Sequence, residues 1–551
     1  MQASASSPKR PVVAYFSAEY AIADDLPIYA GGLGILAADI VMQAAAGNRE
    51  FWAVGLVYHE AFTGDDPDQR PMVERLSANG FELATGPDGQ RMVISLDVAG
   101  REVKLQAWLK RWDQTRLLLL DARLPDNTPE DQQISDHLYA SAPDLAFAQE
   151  ICLGFGGVAM LRALGGEPDV YHLNEGHAAL AGLAVVLHQR ATHQQASFDE
   201  AVAAVRGRLV ATKHTLLSGA GLFLDWTTVG QLLAPTLAAA GAQLDDLMPL
   251  AGRERGDYSD TKLLMQLCER QSGVSKLHVE MERREHPDSR LVPITNGIFR
   301  WRWTTAAWDQ NPLSYDDAKL WAAHCENRHQ LLEHVREQTG KQLDPETLTV
   351  VWSRRMAAYK RPELLVTDPE RLGRLLNNAE RPIQLVVAGQ ANPADAGAIA
   401  LMTRVIEASR RPDLAPRFAY LPHYNPITAK FLVRGADLWL NTPIRGYEAC
   451  GTSGMKASLN GALQLSTSDG WIDEIDLASI GWRLPDEGGE AVAHDLYNLL
   501  GQDVAHLFYD RANGLPTAWV VKMRANIRLV LEQFTAERML AEYYAKLYEH
   551  G

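Results

Sequence analysis

In the stretch YEACGTSGMKASLNGALQLS, Tyr447 to Ser466, a Gly-Thr-Ser-Gly turn runs directly into one lysine, a small-residue segment and an apolar strand. Gly451, Thr452, Ser453 and Gly454 can present backbone N–H groups and hydroxyls to a phosphate. Lys456 then falls just inside a helix, among apolar neighbours. Partial burial lowers the pKa of a lysine and makes its amine a better nucleophile toward an aldehyde. That is Schiff-base chemistry of the kind pyridoxal phosphate uses. A capped turn ending on an exposed lysine explains the same residues with no chemistry at all.

A second cluster is SRRMAAYKR, with Arg354, Arg355, Lys360 and Arg361 within eight residues at a strand-to-helix transition. Guanidinium and ammonium groups gathered this way hold a dianion, the arginine bidentately and the lysine as a point charge; a solvated basic face is the alternative. LPIYAGGLGILAADI puts Gly31, Gly32 and Gly34 at a helix start, where free N–H groups and the helix dipole suit a phosphate or a sugar hydroxyl. His177 and His214 each follow an apolar strand, where a hydrogen-bonded structural histidine is as natural as an acid or base. GxSxG, HExxH and EF-hand patterns are absent from the sequence.

These residues need strands to end beside them, and the pattern supplies strands. PVVAYFS, FWAVGLVYH, RLLLLD, DVYHLN, RLVATKH and RLVPITN read as strands in the first half; LTVVWS, IQLVVAG, RFAYL, ADLWLN and ALQLS do so in the second. Helical stretches lie between them, which implies βαβ units and parallel sheets. The tryptophan-rich FRWRWTTAAWDQNP separates the two series, so two doubly wound α/β domains are expected to meet near residue 310. A final helical region, from PTAWVVK to the end, is expected to pack back across the first domain. Ligands of open parallel sheets sit beyond the carboxyl ends of the strands. NEGH, KHT, TNGI, SRRMAAYKR and NTPIRGYEACGTSGMK all follow strands.

The 551 residues exceed what one core holds. A net charge of −16 without a Lys/Arg run argues against nucleic acid as partner. Four scattered cysteines, with no CxxC pair, fit reduced thiols in a cytosol better than a disulfide framework or a zinc site. The start lacks a signal-peptide core, and ICLGFGGVAMLRALGG is too short and glycine-rich to span a bilayer. A soluble, cytoplasmic protein is the expectation.

Taken in order, YFSAEYAI, LPIYAGGLGILAADI, YHLNEGHAAL, KHT, ITNGI, RRMAAYKR, AGQANPAD, LVRGADLWLNTP and EACGTSGMKASLNGALQLSTSDGWIDE resemble the glycogen, starch and maltodextrin phosphorylase family in its shorter bacterial and archaeal branch. The resemblance implies two Rossmann-like domains facing a deep cleft, a GT-B fold, with residues 1–310 on the glucan and phosphate side. Residues 311–530 would bind pyridoxal phosphate, and 531–551 would form the returning helix. It implies retaining phosphorolysis of an α-1,4-glucan or maltooligosaccharide by inorganic phosphate to α-glucose 1-phosphate. The cofactor's 5′-phosphate would serve as acid and base.

By the same resemblance, Lys456 carries the cofactor and Gly451, Thr452 and Tyr359 line it. Arg355, Lys360, Gly31 and Gly32 hold the substrate phosphate. Asn296 and Glu448 bind glucosyl hydroxyls, His214 lies by the reacting sugar, and Glu175 and His177 border the cleft. Departures fall at Gln390, where the family has lysine, at FRWRW, at HTLLSGAGLF and at Cys450. They touch the acceptor side rather than the cofactor lysine. No metal, nucleic acid or membrane is implied, and a homo-oligomer is compatible. Two rival readings remain: a nucleotide-sugar glucosyltransferase, which would lack a Schiff-base lysine, and a cofactor-holding paralogue that binds glucan without turnover.

Overall fold

The computed structural model describes residues 10–62, 68–193, 196–216, 221–253, 256–308, 311–392, 395–486 and 488–549. The expectations for the N-terminal nine residues, for 217–220 of HTLLSGAGLF and for 393–394 of AGQANPAD lie outside them. The chain divides into two units. One comprises Met1–Val274, Asp288–Ile294 and Leu540–Gly551, the other Ser275–Pro287 and Thr295–Met539. Both are mixed α/β with parallel sheets.

The first unit is built on a ten-stranded sheet. Leu291–Pro293, Arg270–Gly273, Leu209–Lys213, Val170–Asn174, Val13–Phe16, Phe51–Leu56 and Thr115–Asp121 lie side by side and parallel. Parallel strands are covered on both faces and therefore tend to read as unbroken apolar runs, as FWAVGL does. From Val13–Phe16 the chain winds outward to one side, through Phe51–Leu56 and Thr115–Asp121. It then returns to Val170–Asn174 and winds to the other side. The reversal of order lies between Val13–Phe16 and Val170–Asn174. Beyond Thr115–Asp121 the sheet continues antiparallel, with Arg101–Trp112, Val93–Val98 and Glu82–Leu83.

One helical run, Pro143–Ala163, is long and apolar enough to cross a membrane by length and composition, and 72% of its apolar window is buried in the protein. Its glycines answer to packing. A Cβ on Gly154 would stand 2.5 Å from the Leu180 carbonyl carbon, and one on Gly157 would stand 2.7 Å from the Phe16 ring. The run is a core helix pressed onto the sheet and onto Ala179–Thr192. The last residues also complete this core: Tyr548 Oη meets His172 Nδ1 at 2.6 Å, while His172 Nε2 meets Thr212 Oγ1 at 2.7 Å.

The second unit holds a six-stranded parallel sheet in the order Phe418–Leu421, Ile383–Ala388, Leu348–Ser353, Leu438–Asn441, Leu463–Ser466, Gly481–Arg483. Here the order reverses between Leu348–Ser353 and Leu438–Asn441. Asp437, just ahead of the latter, anchors that seam: its carboxylate takes Arg328 Nη1 at 2.7 Å, His324 Nε2 at 2.9 Å and the Thr349 N–H at 2.8 Å, all fully buried. The C-terminal helical region breaks at Phe534, because Thr535 pairs through its backbone with Ile298. Ala536–Tyr543 resumes the helix after the break.

Candidate active site

Each unit gathers its candidate residues where its strand order reverses, the place where an open α/β sheet leaves a crevice for ligands. In the first unit, the ends of Val13–Phe16 and Val170–Asn174 are tied by Asn174 Nδ2 donating to Ser17 Oγ at 3.1 Å. Asn174 Oδ1 then lies 2.7 Å from His214 Nε2. Glu175 follows with φ of +73°, an uncommon conformation for a non-glycine residue and a cost that recurs at functional sites. Its carboxylate accepts the His214 N–H at 2.8 Å and the Thr215 hydroxyl at 3.2 Å. Burial raises the Glu175 carboxyl, while His177 and the His214 amide oppose the rise.

His177 reaches the Gly-rich loop through aromatic and carboxylate contacts. Its ring stands 5.0 Å from that of Tyr139, and Tyr139 Oη donates to Glu19 Oε1 at 2.7 Å. Glu19 Oε2 accepts the N–H groups of Ala30 at 2.6 Å and Gly31 at 3.1 Å. The loop before Gly32–Ala46 thus already binds one anionic oxygen through its amides. Positions that Cβ atoms would take at Gly31 and Gly32 are open to 4 Å, whereas one on Gly34 would meet Tyr29 at 2.7 Å and Glu19 at 2.8 Å. Gly34 is required for close approach; Gly31 and Gly32 leave room.

Burial pulls both His172 and His214 down to about 3. His214 is therefore neutral at ordinary pH, a hydrogen-bonding group rather than a proton source. Both pKa values lie below the unfolded value of about 6.5. The stability they contribute is complete above that value and is lost as pH falls toward 3, at up to about 1.4 kcal/mol per pH unit for each histidine. Urea unfolding of the wild type and of His172→Gln should show a shallower loss between about pH 6.5 and 5 in the variant. Parallel curves would mean that His172 charges without cost.

In the second unit, Glu448 is the centre. Its Oε2 accepts Lys360 Nζ at 2.8 Å and Arg354 Nη1 at 3.3 Å; Arg354 Nη2 reaches Ser453 Oγ at 3.4 Å. Burial would raise the Glu448 carboxyl, but Lys360 and then Arg354 outweigh it, so it is held below its usual value. Arg355 is exposed, with its charge still felt at Glu448. Arg361 is buried in a left-handed turn, and donates Nε to the Thr442 carbonyl at 2.8 Å and Nη2 to that of Pro443 at 3.0 Å. Tyr359 is half-buried, its ring 5.2 Å from Lys360 Nζ and 6.3 Å from the Tyr447 ring.

Lys456 lies in the helix Ser453–Leu459, buried between Met455 and Ala457, with its Nζ 4.0 Å from the centre of the Trp303 ring. Trp303 is held by its carbonyl, which accepts from Asn460 Nδ2 at 3.0 Å and Arg434 Nε at 3.2 Å. Gly451 packs against the Glu448 side chain, and the Thr452 carbonyl accepts the Lys456 N–H at 3.2 Å. Asn296 Nδ2 approaches the Cys450 carbonyl at 3.4 Å, while its buried Oδ1 has no bond partner. Gln390, the departure from lysine, accepts the Met356 N–H at 2.9 Å through its backbone.

Trp303, Glu19 and Tyr139 join the candidates only here, while Arg354, read in the sequence as one of four clustered cations, gains a partner in Glu448. An aromatic in a departing segment, and a glutamate and a tyrosine distant from the loop they support, carry no spacing signal of their own. Among the described residues no group of His, Cys, Asp or Glu is arranged to hold a metal ion.

The sequence is similar to known proteins along both units. Residues 314–546 match the model of the carbohydrate phosphorylases. The glycogen phosphorylase of Mycobacterium tuberculosis is 32% identical, over 97% of this chain and 70% of its own. That of Aquifex aeolicus is 30% identical, over 98% of this chain and 86% of its own. The maltodextrin phosphorylase of Thermococcus litoralis is 32% identical, over 98% and 70%. With similarity of this extent reaching both units, the chain belongs to the carbohydrate phosphorylase family.

Proposed function

We propose that the chain is an α-1,4-glucan phosphorylase, transferring the non-reducing terminal glucosyl unit of a glucan or maltooligosaccharide to inorganic phosphate and releasing α-glucose 1-phosphate. The observation that carries this reading is the second unit's site: a buried lysine under an indole, one turn from a cluster of cations around a single carboxylate. The reading takes the two units as the two doubly wound, Rossmann-like halves of a GT-B enzyme.

Pyridoxal phosphate fits the residues present. Lys456 offers a buried amine, Trp303 an aromatic face, and Arg354 a buried Nε without a bond partner beside the Ser453 hydroxyl. Lys456 would hold it, with Gly451, Thr452 and Tyr359 alongside. When bound, it would supply a phosphate able to give and take a proton.

The chain's own groups do the rest. In the second unit Arg355 and Lys360 offset the charge of the substrate phosphate, and in the first unit the amides of Gly31 and Gly32 are donors to a phosphate; fixed cations and dipoles in a water-poor site are worth more than in water. Glu448 and Asn296 bind glucosyl hydroxyls, and Asn296 Oδ1 is a free acceptor for one. His214, neutral and fixed by Asn174, orients a hydroxyl without charging it. Glu175 and His177 serve the glucan side. In the reaction the bond from C1 to the leaving glucan oxygen breaks and a bond from C1 to a phosphate oxygen forms. The proton of the hydrogen phosphate passes to the leaving oxygen.

The test is direct. With phosphate and a maltooligosaccharide, the cofactor-loaded protein should release α-glucose 1-phosphate; with glucose 1-phosphate and a primer, it should lengthen the glucan. A response only to a nucleotide sugar would replace the reading with a glucosyltransferase. No turnover on short or long glucans would make the chain a glucan-binding paralogue.

A further inference from the structure

The loop that carries Glu448 spans the gap between the strand Leu438–Asn441 and the helix Ser453–Leu459 without regular structure of its own. Its base is tied to the loop of Lys360. Thr442 Oγ1 donates to the Lys360 carbonyl at 2.8 Å, the Ile444 N–H donates to the Tyr359 carbonyl at 2.8 Å, and Arg361 bridges back to Thr442 and Pro443. Toward its tip Ser275 Oγ donates to the Ala449 carbonyl at 2.6 Å, and one acidic side chain gathers its backbone N–H groups. Asp469, buried after the strand Leu463–Ser466, accepts the N–H groups of Gly446 at 3.0 Å and Gly470 at 2.9 Å on Oδ1. On Oδ2 it accepts the N–H of Glu448 itself at 2.8 Å. Three amides converge on one carboxylate, and one belongs to the residue whose side chain meets Lys360 and Arg354.

We propose that Asp469 is the positioning residue of this site, its carboxylate fixing the backbone at Gly446 and Glu448 so that the Glu448 side chain is presented to Lys360, Arg354 and the sugar. The sugar part rests on the function proposed above. A carboxylate can take all three N–H groups, whereas an asparagine has one oxygen and turns an N–H₂ group toward an amide donor. Burial pushes the Asp469 carboxyl up to about 7, with the amides opposing and the Glu448 carboxylate adding to the rise. The other charged groups near it are Arg361, which feels both Asp469 and Asp486, and Arg445, bound to Asp473 and Asp486.

The sign follows. The folded value lies above the unfolded one, so the stability tied to this group is complete below about pH 4 and is lost as pH rises through 7. Above about pH 7 Asp469 holds the loop as an anion, and the fold has by then lost the stability that the raised value supplied. As pH falls through about 7 it takes a proton and surrenders an acceptor.

The experiment uses the full chain loaded with pyridoxal phosphate, wild type against Asp469→Asn, and glucose as probe in the absence of phosphate. In the wild type, glucose affinity should drop at least about threefold as pH falls through about 7. In Asp469→Asn it should be weak and flat with pH, and amide hydrogen exchange at 446–448 should quicken at least about tenfold. Unchanged exchange at 446–448, or a wild-type pH profile in the variant, overturns the proposal. Should Asp469→Asn fail to fold, Asp469→Glu keeps the charge. It should keep a pH-dependent affinity, and a flat profile there counts against the clamp. Glu448→Gln separates the two readings. If it binds glucose like the wild type, the sugar role of Glu448 fails, and exchange at 446–448 alone decides the role of Asp469.

Discussion

Lys456→Ala should give a folded protein that stays colourless after incubation with pyridoxal phosphate and loses phosphorolysis by at least about a thousandfold. The fold should survive because the bonds that hold the helix Ser453–Leu459 are made by other groups. Asn460 Nδ2 donates to the Lys456 carbonyl at 2.9 Å, and Gln464 Nε2 donates to Ser458 Oγ at 2.9 Å. What disappears is an amine buried against an indole face, an arrangement that keeps the nitrogen close to a flat aromatic and away from bulk water. Borohydride treatment of the loaded wild type, followed by peptide mapping, should place the cofactor on Lys456. Visible colour retained by Lys456→Ala, or a label on another lysine, would remove the assignment.

Lys360→Ala should cut phosphorolysis by about tenfold to 150-fold, equivalent to roughly 1.5–3 kcal/mol for a charge-assisted contact, at unchanged cofactor content. Lys360 is the strongest of the cations that hold Glu448 ionised, so its loss weakens both the phosphate contact and the sugar contact. Arg355→Ala should give a similar fall from an exposed position, since its charge acts on a ligand rather than on the fold. Arg361→Ala is the contrast. Its guanidinium is spent on two buried carbonyls, so the variant should lose about 1–3 kcal/mol of stability while its folded fraction turns over more nearly as wild type. Rates and melting curves on the three variants separate these roles. Small, equal rate losses at Lys360 and Arg355 would restore the plain solvated face.

The second sheet was legible almost strand for strand, because LTVVWS, IQLVVAG, RFAYL, ADLWLN and ALQLS are short apolar runs with helices between them. In the first sheet Arg270–Gly273 was not. Its inward residues are Gln271 and Ser272, polar yet buried, satisfied by the Met265 and Cys268 carbonyls and by Thr212. An apolar-run criterion cannot see such a strand. The antiparallel extension was read only at RLLLLD, although REVKLQAWLKRW alternates over the twelve residues of Arg101–Trp112. In the site, Lys456, Lys360, Glu448, Glu175 and His214 announced themselves by following strands. Asp469 and Glu19 did not, because their work is to accept backbone N–H groups from loops far away in sequence, and such pairing leaves no mark in local spacing.

The path of the chain carries a consequence for handling the gene. It passes from one unit to the other after Val274, Pro287, Ile294 and Met539, and the second pass brings back only Asp288–Ile294, the segment that lays Leu291–Pro293 along the sheet edge. No single cut in the coding sequence yields either unit whole. A fragment ending at Val274 lacks an edge strand and the tyrosine that meets His172, and a fragment starting at Thr295 lacks Ser275 and Lys276, which bond Ala449 and Glu474 beside the site. Split reporters, library crossovers and isolated-half expression therefore have to move four junctions together. A recombinant that swaps one contiguous block inherits an incomplete sheet from one parent and an unsupported loop from the other.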